Sequence, residues 1–113
     1  HLKNFSLIEN MPGSRIFQLS KAYDMLPVNV IMPEDKEQMA LTINGKKRNI
    51  HKKEFRKLAE SYEISPKAAE NMLKKICRME NKLLDQVEGA YLSKEQKEQV
   101  SQLVHERIKT LSL

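Results

Sequence analysis

The second half of the chain has the apolar spacing of amphipathic helices. From about residue 51 onward, apolar side chains recur every three or four residues, which places them on one face of an α-helix. They fall into three runs: Phe55, Leu58, Ala59 and Tyr62; Ala69, Met72, Leu73, Ile76, Met79, Leu83 and Val87; and Val100, Leu103, Val104, Ile108 and Leu111. Three such helices joined by short links predict a three-helix bundle over residues 51–113.

Capping residues indicate where the second and third helices begin and end. Ser65 followed by Pro66 is a favoured helix start, and Gly89 is a favoured residue just past a helix end. Ser93 with Gln96 has the spacing of a capping box. The second helix is therefore predicted as one unbroken element from Pro66 to the residue before Gly89.

The beginning of the chain has the pattern of a short hairpin. Residues 5–8 and 15–19 predict two strands, and residues 9–14, which include a Pro-Gly pair, predict the turn between them. Because the two strands run out and back over similar lengths, the residues that flank them meet at one end of the hairpin. Asn4 and Asp24 are therefore expected to lie side by side, where they suit a hard cation or serve only as turn residues, which Asn and Asp often are beside hairpins.

Two later segments of the first half are predicted to be extended. Residues 28–31 predict a short strand or extended segment, and the alternating residues 39–43 predict a strand that ends at the tight turn Asn44-Gly45. The fold class is then α+β, mainly α, in a single domain. Residues 1–50 form its hairpin, loop and strand region, packed on the bundle of residues 51–113.

Composition bounds the class of protein. A length of 113 residues suits one domain or part of one, and 31% charged residues predict a soluble chain. No run approaches the ~18 apolar residues of a membrane span, so no membrane partner is expected. Cys77 is the single cysteine, which excludes an internal disulfide and favours a reducing, cytoplasmic location.

The net charge of +5 is unevenly distributed along the chain. Its densest stretch, the basic patch, consists of Lys46, Lys47, Arg48, Lys52, Lys53 and Arg56. Such a patch is suited to phosphate groups of nucleic acid or to an acidic protein surface. A solvated loop and outer helix face is an equally good interpretation.

The first two predicted helices also raise a DNA-binding hypothesis. Residues 55–69 have the pattern of a helix-turn-helix, in which the second helix would enter the major groove by its N-terminal end. Glu63 replaces the Gly that commonly eases the bend, and the second helix is unusually long, so an ordinary helical hairpin is favoured. The residues that would reach bases or phosphates are Lys67, Glu70, Asn71 and Lys74.

Three stretches carry a resemblance to a known family: His1-Leu2-Lys3-Asn4-Phe5-Ser6, Leu19-Ser20-Lys21-Ala22-Tyr23-Asp24-Met25-Leu26-Pro27 and Ala40-Leu41-Thr42-Ile43-Asn44-Gly45-Lys46-Lys47-Arg48. In this order they resemble the C-terminal part of the HipA-like serine/threonine kinases, the toxin half of a bacterial toxin–antitoxin pair. The resemblance covers about the first half of the chain and extends to the helical half only in general pattern.

The resemblance implies the C-terminal lobe of a protein-kinase-like fold and a set of site residues. It implies that Asn4 and Asp24 are Mg²⁺ ligands and that Lys3 lies near the ATP phosphates, in agreement with the preference of Mg²⁺ for oxygen ligands. The family motif Asp-x-His-x-Lys-Asn is cut at His1, so the catalytic Asp is expected upstream and no catalytic residue is assigned in this chain. Lys21 stands where the family often has Pro.

The resemblance also implies partners. They are the N-terminal part of the same kinase, a DNA-binding antitoxin that would bring the lobe near DNA, and a protein substrate such as an aminoacyl-tRNA synthetase. Mg²⁺ and ATP are expected in the full-length protein, whereas the chain alone is expected to bind neither tightly and to be inactive. A dimer through the exposed lobe surface is a further expectation. The alternative is a small helix-turn-helix-like DNA-binding or adaptor domain that uses residues 46–57.

Overall fold

The structure is a computed structural model that describes residues 2–113. A single 3-10 turn, Leu2–Asn4, comes first. Two strands and five α-helices follow within the described range: β1 (Leu7–Glu9), β2 (Phe17–Leu19), α1 (Val28–Ile31), α2 (Lys52–Ser61), α3 (Pro66–Cys77), α4 (Glu80–Glu88) and α5 (Lys94–Ser112). This element content confirms the predicted α+β, mainly α, class. No helix of this range is long and apolar enough to span a membrane.

The predicted hairpin is present, with shorter strands than expected. β1 and β2 pair antiparallel, with Leu7 opposite Leu19. The Glu9 carboxylate organises the turn, since it accepts hydrogen bonds from the backbone amides of Gly13 at 2.8 Å and Arg15 at 3.1 Å. Both of these residues have positive φ, +79° and +56°, which ends strand geometry there. The turn therefore extends through Arg15, and the second strand begins two residues later.

The prediction of an extended segment over residues 28–31 is wrong, because these residues form the one-turn helix α1. The Asn29 side chain holds this turn against the following loop, donating to the carbonyls of Asp35 at 2.7 Å and Glu37 at 3.0 Å. Three β-branched residues favour a strand at this point in the sequence. Without a neighbouring strand in the described structure, these side-chain contacts decide the local conformation.

The prediction of a strand over residues 39–43 is also wrong. Only an isolated bridge forms, in which Ile43 and Lys46 exchange backbone hydrogen bonds of 2.8 and 3.0 Å. Asn44 and Gly45 lie between them at φ +50° and +73°, so the predicted tight turn is confirmed. A strand needs a hydrogen-bonded neighbour along its length, whereas here Ile43 bonds to Lys46 across the turn and Gln38, just before the segment, donates to the Lys47 carbonyl at 2.7 Å.

The predicted long second helix is broken into two, so the bundle has four helices, α2–α5, rather than three. α3 ends at Cys77 and α4 begins at Glu80. Between them, the Met79 amide donates to the Ile76 carbonyl at 2.9 Å, a tighter turn than the α-helix makes. Both pieces pack against α5. We attribute the break to this packing, because no Gly or Pro stands there.

The core lies between the loop that precedes α2 and helices α3 and α5. Its buried apolar side chains are Ile43, Ile50, Ala69 and Ile108. The hairpin, in contrast, has none of its apolar side chains buried. Phe5, Leu7, Phe17 and Leu19 are between 59% and 69% exposed. The hairpin is therefore positioned by its backbone and polar contacts and not by the core.

Candidate functional site

The structure brings Asn4 and Asp24 into contact at the open end of the hairpin. The Asn4 amide Nδ2 donates a hydrogen bond to Asp24 Oδ2 at 2.9 Å. Asn4 ends the 3-10 turn before β1, and Asp24 follows β2. A backbone bond from the Ser20 amide to the Ser6 carbonyl, 2.8 Å long, closes the hairpin beside them. The hairpin pairing thus produces the adjacency that the sequence predicts.

Asp24 has an unusual backbone conformation. Its φ of +51° lies in the left-handed region, which few residues other than glycine adopt. Aspartate tolerates this region better than most residues, yet such conformations persist only where surrounding contacts hold them, and they cluster at functional sites. The direction of the Asp24 carboxylate therefore depends on its neighbours.

Tyr23 and Ser6 supply hydrogen bonds across the base of the hairpin. The Tyr23 hydroxyl donates to the Lys3 carbonyl at 2.9 Å and lies 2.7 Å from Ser6 Oγ. These bonds cross from one flank of the hairpin to the other, beside the Asn4–Asp24 contact. The sequence indicates these bonds only through proximity to the site, since Tyr23 precedes Asp24 and Ser6 follows Asn4 by two residues.

The donor groups of Asn4 and Asp24 fit a magnesium ion. Both side chains carry the oxygen atoms that Mg²⁺ prefers, and one carboxylate is enough where phosphates and water complete the shell. Asn4 presents its N–H to the carboxylate, and a half-turn about the Cβ–Cγ bond would present its oxygen instead. Asp24 is exposed, which leaves room for phosphate oxygens.

Other groupings of metal-binding side chains are lacking in the part of the chain that is described. Residues 2–113 contain no cluster of three or more His, Cys, Asp or Glu that could hold a metal ion. A metal at the hairpin would therefore need the Asn4 amide and ligands from outside these residues. The side chain of Lys3 is exposed next to Asn4, and His1 lies outside the described residues.

Three carboxylates pair with the basic patch and offset half of its six positive charges. Four of its six cations form ion pairs: Lys46 with Glu54 (2.7 Å), Lys47 with Glu37 (2.9 Å), and Lys52 (2.9 Å) and Arg56 (2.7 Å) with Glu70. Arg48 and Lys53 are exposed and form no ion pair within 4.0 Å among residues 2–113. The field that the patch presents to a nucleic acid is therefore weaker than its six cations alone would give.

Glu54 connects the loop before α2 to the helix itself. It is only 3% exposed and accepts hydrogen bonds from Lys46 Nζ at 2.7 Å and the His51 amide at 2.9 Å. The Lys46 hydrogen bond, followed by that from His51, lowers the pKa of Glu54 to about 2. The Asn44 side chain donates to the Glu54 carbonyl at 2.7 Å. Part of the basic patch thus serves to fix the loop.

Glu70 connects α2 to α3 in the same way. Hydrogen bonds from Arg56 and then Lys52 lower the pKa of its carboxyl to about 2. A side chain proposed for DNA contact is therefore occupied within the protein, which favours the ordinary helical hairpin over a helix-turn-helix. The other candidates for DNA contact remain exposed on α3: Lys67, Asn71 and Lys74.

Comparison with protein families gives a match over most of the chain. A family model described as the HipA-like C-terminal domain matches residues 1–83, more than two thirds of the chain. The match includes the hairpin with Asn4 and Asp24, both helices α2 and α3, and the start of α4. A comparison with curated proteins gives no match. Because the family match covers most of its length, the chain belongs to the HipA-like C-terminal domain family.

Proposed function

We propose that the chain is the C-terminal lobe of a HipA-like serine/threonine protein kinase from a bacterial toxin–antitoxin pair. In the full-length protein, Asn4 and Asp24 hold Mg²⁺ together with ATP. The observation that carries the proposal is the 2.9 Å contact between these two side chains within the family-matched region. An amide and a carboxylate that follow one another across a hairpin are the metal-binding pair of protein kinases.

The residues of this lobe have separate tasks in the proposal. Asp24 supplies an anionic oxygen ligand and Asn4 a neutral one, and the exposed cation of Lys3 attracts the phosphates. When bound by Asn4 and Asp24, Mg²⁺ would supply positive charge to offset the charge that develops during phosphoryl transfer. The base that orients the acceptor hydroxyl is the family Asp expected upstream of His1. Kinase activity therefore requires more of the protein than these 113 residues.

The exposed hairpin supports the assignment to a lobe. The large side chains of Phe5, Leu7, Phe17 and Leu19 form an apolar surface that a soluble protein rarely leaves uncovered. We assign its cover to the N-terminal part of the same kinase. A second copy of the chain on this surface is the competing occupant, and it predicts a dimer for the isolated chain.

The cellular partners follow from the family alone. The proposal includes a DNA-binding antitoxin, a cytoplasmic location and a protein substrate with a serine or threonine acceptor, such as an aminoacyl-tRNA synthetase. The basic patch lies near DNA in this arrangement only through the antitoxin. Because four of its cations are paired with carboxylates, the patch is better suited to contact with a protein or with solvent than to recognition of DNA bases.

The test is a comparison of point variants in the full-length protein. Asp24→Ala and Asn4→Ala are assayed for transfer of radiolabelled phosphate from ATP to protein, with Asp85→Ala, an exposed aspartate on α4, as the matched control. We expect Asp24→Ala to lose at least about 100-fold in rate, of the order seen when a preorganised charge-stabilising group is removed. The control should keep the wild-type rate. Equal rates for Asp24→Ala and Asp85→Ala would refute the proposal, as would phosphorylation by residues 1–113 alone.

A further inference from the structure

One tyrosine hydroxyl joins the two segments that carry Asn4 and Asp24. Tyr23 donates to the Lys3 carbonyl at 2.9 Å, and its oxygen lies 2.7 Å from Ser6 Oγ. A tyrosine hydroxyl has one hydrogen, so it must accept the second bond from the serine hydroxyl. The result is a directed chain from Ser6 through Tyr23 to Lys3, which we call the hydroxyl clasp.

The hydroxyl clasp brackets the proposed magnesium ligands on both sides. Lys3 precedes Asn4 and Ser6 follows it by two residues, while Tyr23 is bonded directly to Asp24 along the chain. The clasp therefore fixes the spacing of the two backbone segments, whereas the Asn4–Asp24 bond fixes only the side-chain ends. It also supports the backbone of Asp24 at φ +51°, a conformation that requires such support.

Apolar packing cannot replace the clasp in this part of the structure. None of residues 3–26 is buried, so no core side chain restrains the site. Besides the clasp and the Asn4–Asp24 bond, a backbone hydrogen bond from the Ser20 amide to the Ser6 carbonyl, 2.8 Å long, crosses the hairpin base. Linked hydroxyls polarise one another, which strengthens each bond of the chain.

We propose that Tyr23 and Ser6 are positioning residues that hold Asn4 and Asp24 at metal-binding separation. This inference rests on the proposed function, since it assigns Mg²⁺ to that pair. Neither hydroxyl binds the metal itself. Loss of the clasp frees Asp24 to leave its left-handed conformation, and the metal site weakens although both ligands remain.

The experiment measures metal affinity in the full-length protein. Mn²⁺, which takes the same oxygen ligands as Mg²⁺, is titrated in the presence of a non-hydrolysable ATP analogue, and free Mn²⁺ is followed by electron paramagnetic resonance. Tyr23→Phe removes the hydroxyl alone, and Tyr91→Phe is the matched control because Tyr91 is fully exposed. Ser6→Ala tests the other end of the clasp, and Ser6→Thr retains its hydroxyl.

We expect Tyr23→Phe and Ser6→Ala each to raise the Mn²⁺ dissociation constant about 3- to 10-fold, the effect of one lost hydrogen bond. Ser6→Thr and Tyr91→Phe should keep the wild-type value. The double variant should show less than the product of the two single effects, because both remove the same bond. Ser6→Ala serves as the test if Tyr23→Phe does not fold.

The outcomes separate this inference from the function on which it rests. If Asp24→Ala weakens Mn²⁺ binding while Tyr23→Phe matches Tyr91→Phe, the positioning role is refuted and the metal site stands. A lower melting temperature for Tyr23→Phe with unchanged Mn²⁺ affinity refutes it too, because the clasp is then only structural. If Asp24→Ala binds Mn²⁺ as the wild type does, the metal assignment fails and the positioning role fails with it.

Discussion

Replacement of Leu19 by alanine tests whether the rest of the kinase covers the hairpin. Leu19 lies opposite Leu7 in the β1–β2 pairing and is 62% exposed in this chain. Full burial of a leucine side chain stabilises a protein by ~1.5–3 kcal/mol. Because 62% of Leu19 is still exposed, a partner that covers it would supply about that fraction of the stabilisation. In the full-length protein, Leu19→Ala should therefore weaken the hairpin by ~1–2 kcal/mol beyond its effect in the chain alone.

Amide hydrogen exchange followed by mass spectrometry measures this difference locally. A loss of 1–2 kcal/mol accelerates exchange by about 5- to 30-fold where exchange follows the opening equilibrium. Peptides covering β1 and β2 should exchange faster by about this factor in full-length Leu19→Ala. Peptides from α5 should be unchanged. In residues 1–113 alone, the hairpin should exchange rapidly with or without the substitution.

Two results would contradict cover of the hairpin by the rest of the kinase. If Leu19→Ala leaves hairpin exchange in the full-length protein within about twofold of the wild type, the apolar face is not covered there. Slow hairpin exchange in the chain alone, at a concentration where it is a dimer, would indicate that a second copy is the cover. Sedimentation velocity at the same concentrations separates these two cases.

Three further predictions concern the helical part. The carboxyls of Glu54 and Glu70 have pKa values lowered from 4.5 to about 2, so their contribution to stability is complete above pH 4.5 and is lost as the pH falls towards 2. The urea midpoint should therefore fall less over this pH range in Glu70→Gln than in the wild type. Equal falls would contradict the role of the Glu70 carboxylate. Ile108→Ala should cost ~2–5 kcal/mol in urea unfolding and Ile108→Val ~0.5–1.5, because this side chain is 8% exposed, whereas a cost below ~1 kcal/mol for the alanine variant would place it outside the core. Fluorescence anisotropy should detect no submicromolar binding to duplex DNA at about 150 mM salt, and such binding, if abolished by Arg48→Glu with Lys53→Glu, would support the DNA-binding alternative.

Local turn chemistry made the hairpin and its site predictable. The Pro-Gly pair and two flanking apolar strands of similar length are enough to predict that Asn4 lies next to Asp24. Strand ends were less predictable, because the turn is extended by the Glu9 carboxylate bonding to Gly13 and Arg15. Asn44-Gly45 was likewise predictable as a tight turn, since its φ values are those that these two residue types accept.

Tertiary contacts decided the features that sequence reasoning missed. The break between α3 and α4 has no Gly or Pro, and the apolar period continues through Met79. The conformation of α1 depends on where the Asn29 amide finds carbonyl partners in the following loop. The charge of the basic patch depends on where Glu37, Glu54 and Glu70 fold relative to it. The partners in these hydrogen bonds and ion pairs are 6 to 18 residues apart, which is beyond a single helical turn.

The molecule divides into a part that is held by burial and a part that is held by polar contacts. Ile43, Ala69 and Ile108 fix the bundle and its loop, whereas no buried side chain fixes the hairpin that carries Asn4 and Asp24. Each of these hydrogen bonds contributes only ~0.5–1.5 kcal/mol to stability. The hairpin can therefore unfold locally while the bundle stays folded. In the proposed kinase, any partner that covers the apolar face would suppress these openings and hold the metal ligands together. Cover of the hairpin and affinity for the metal should therefore be coupled. Mn²⁺ binding should then be weaker in full-length Leu19→Ala than in the wild type, although a leucine side chain is not a metal ligand.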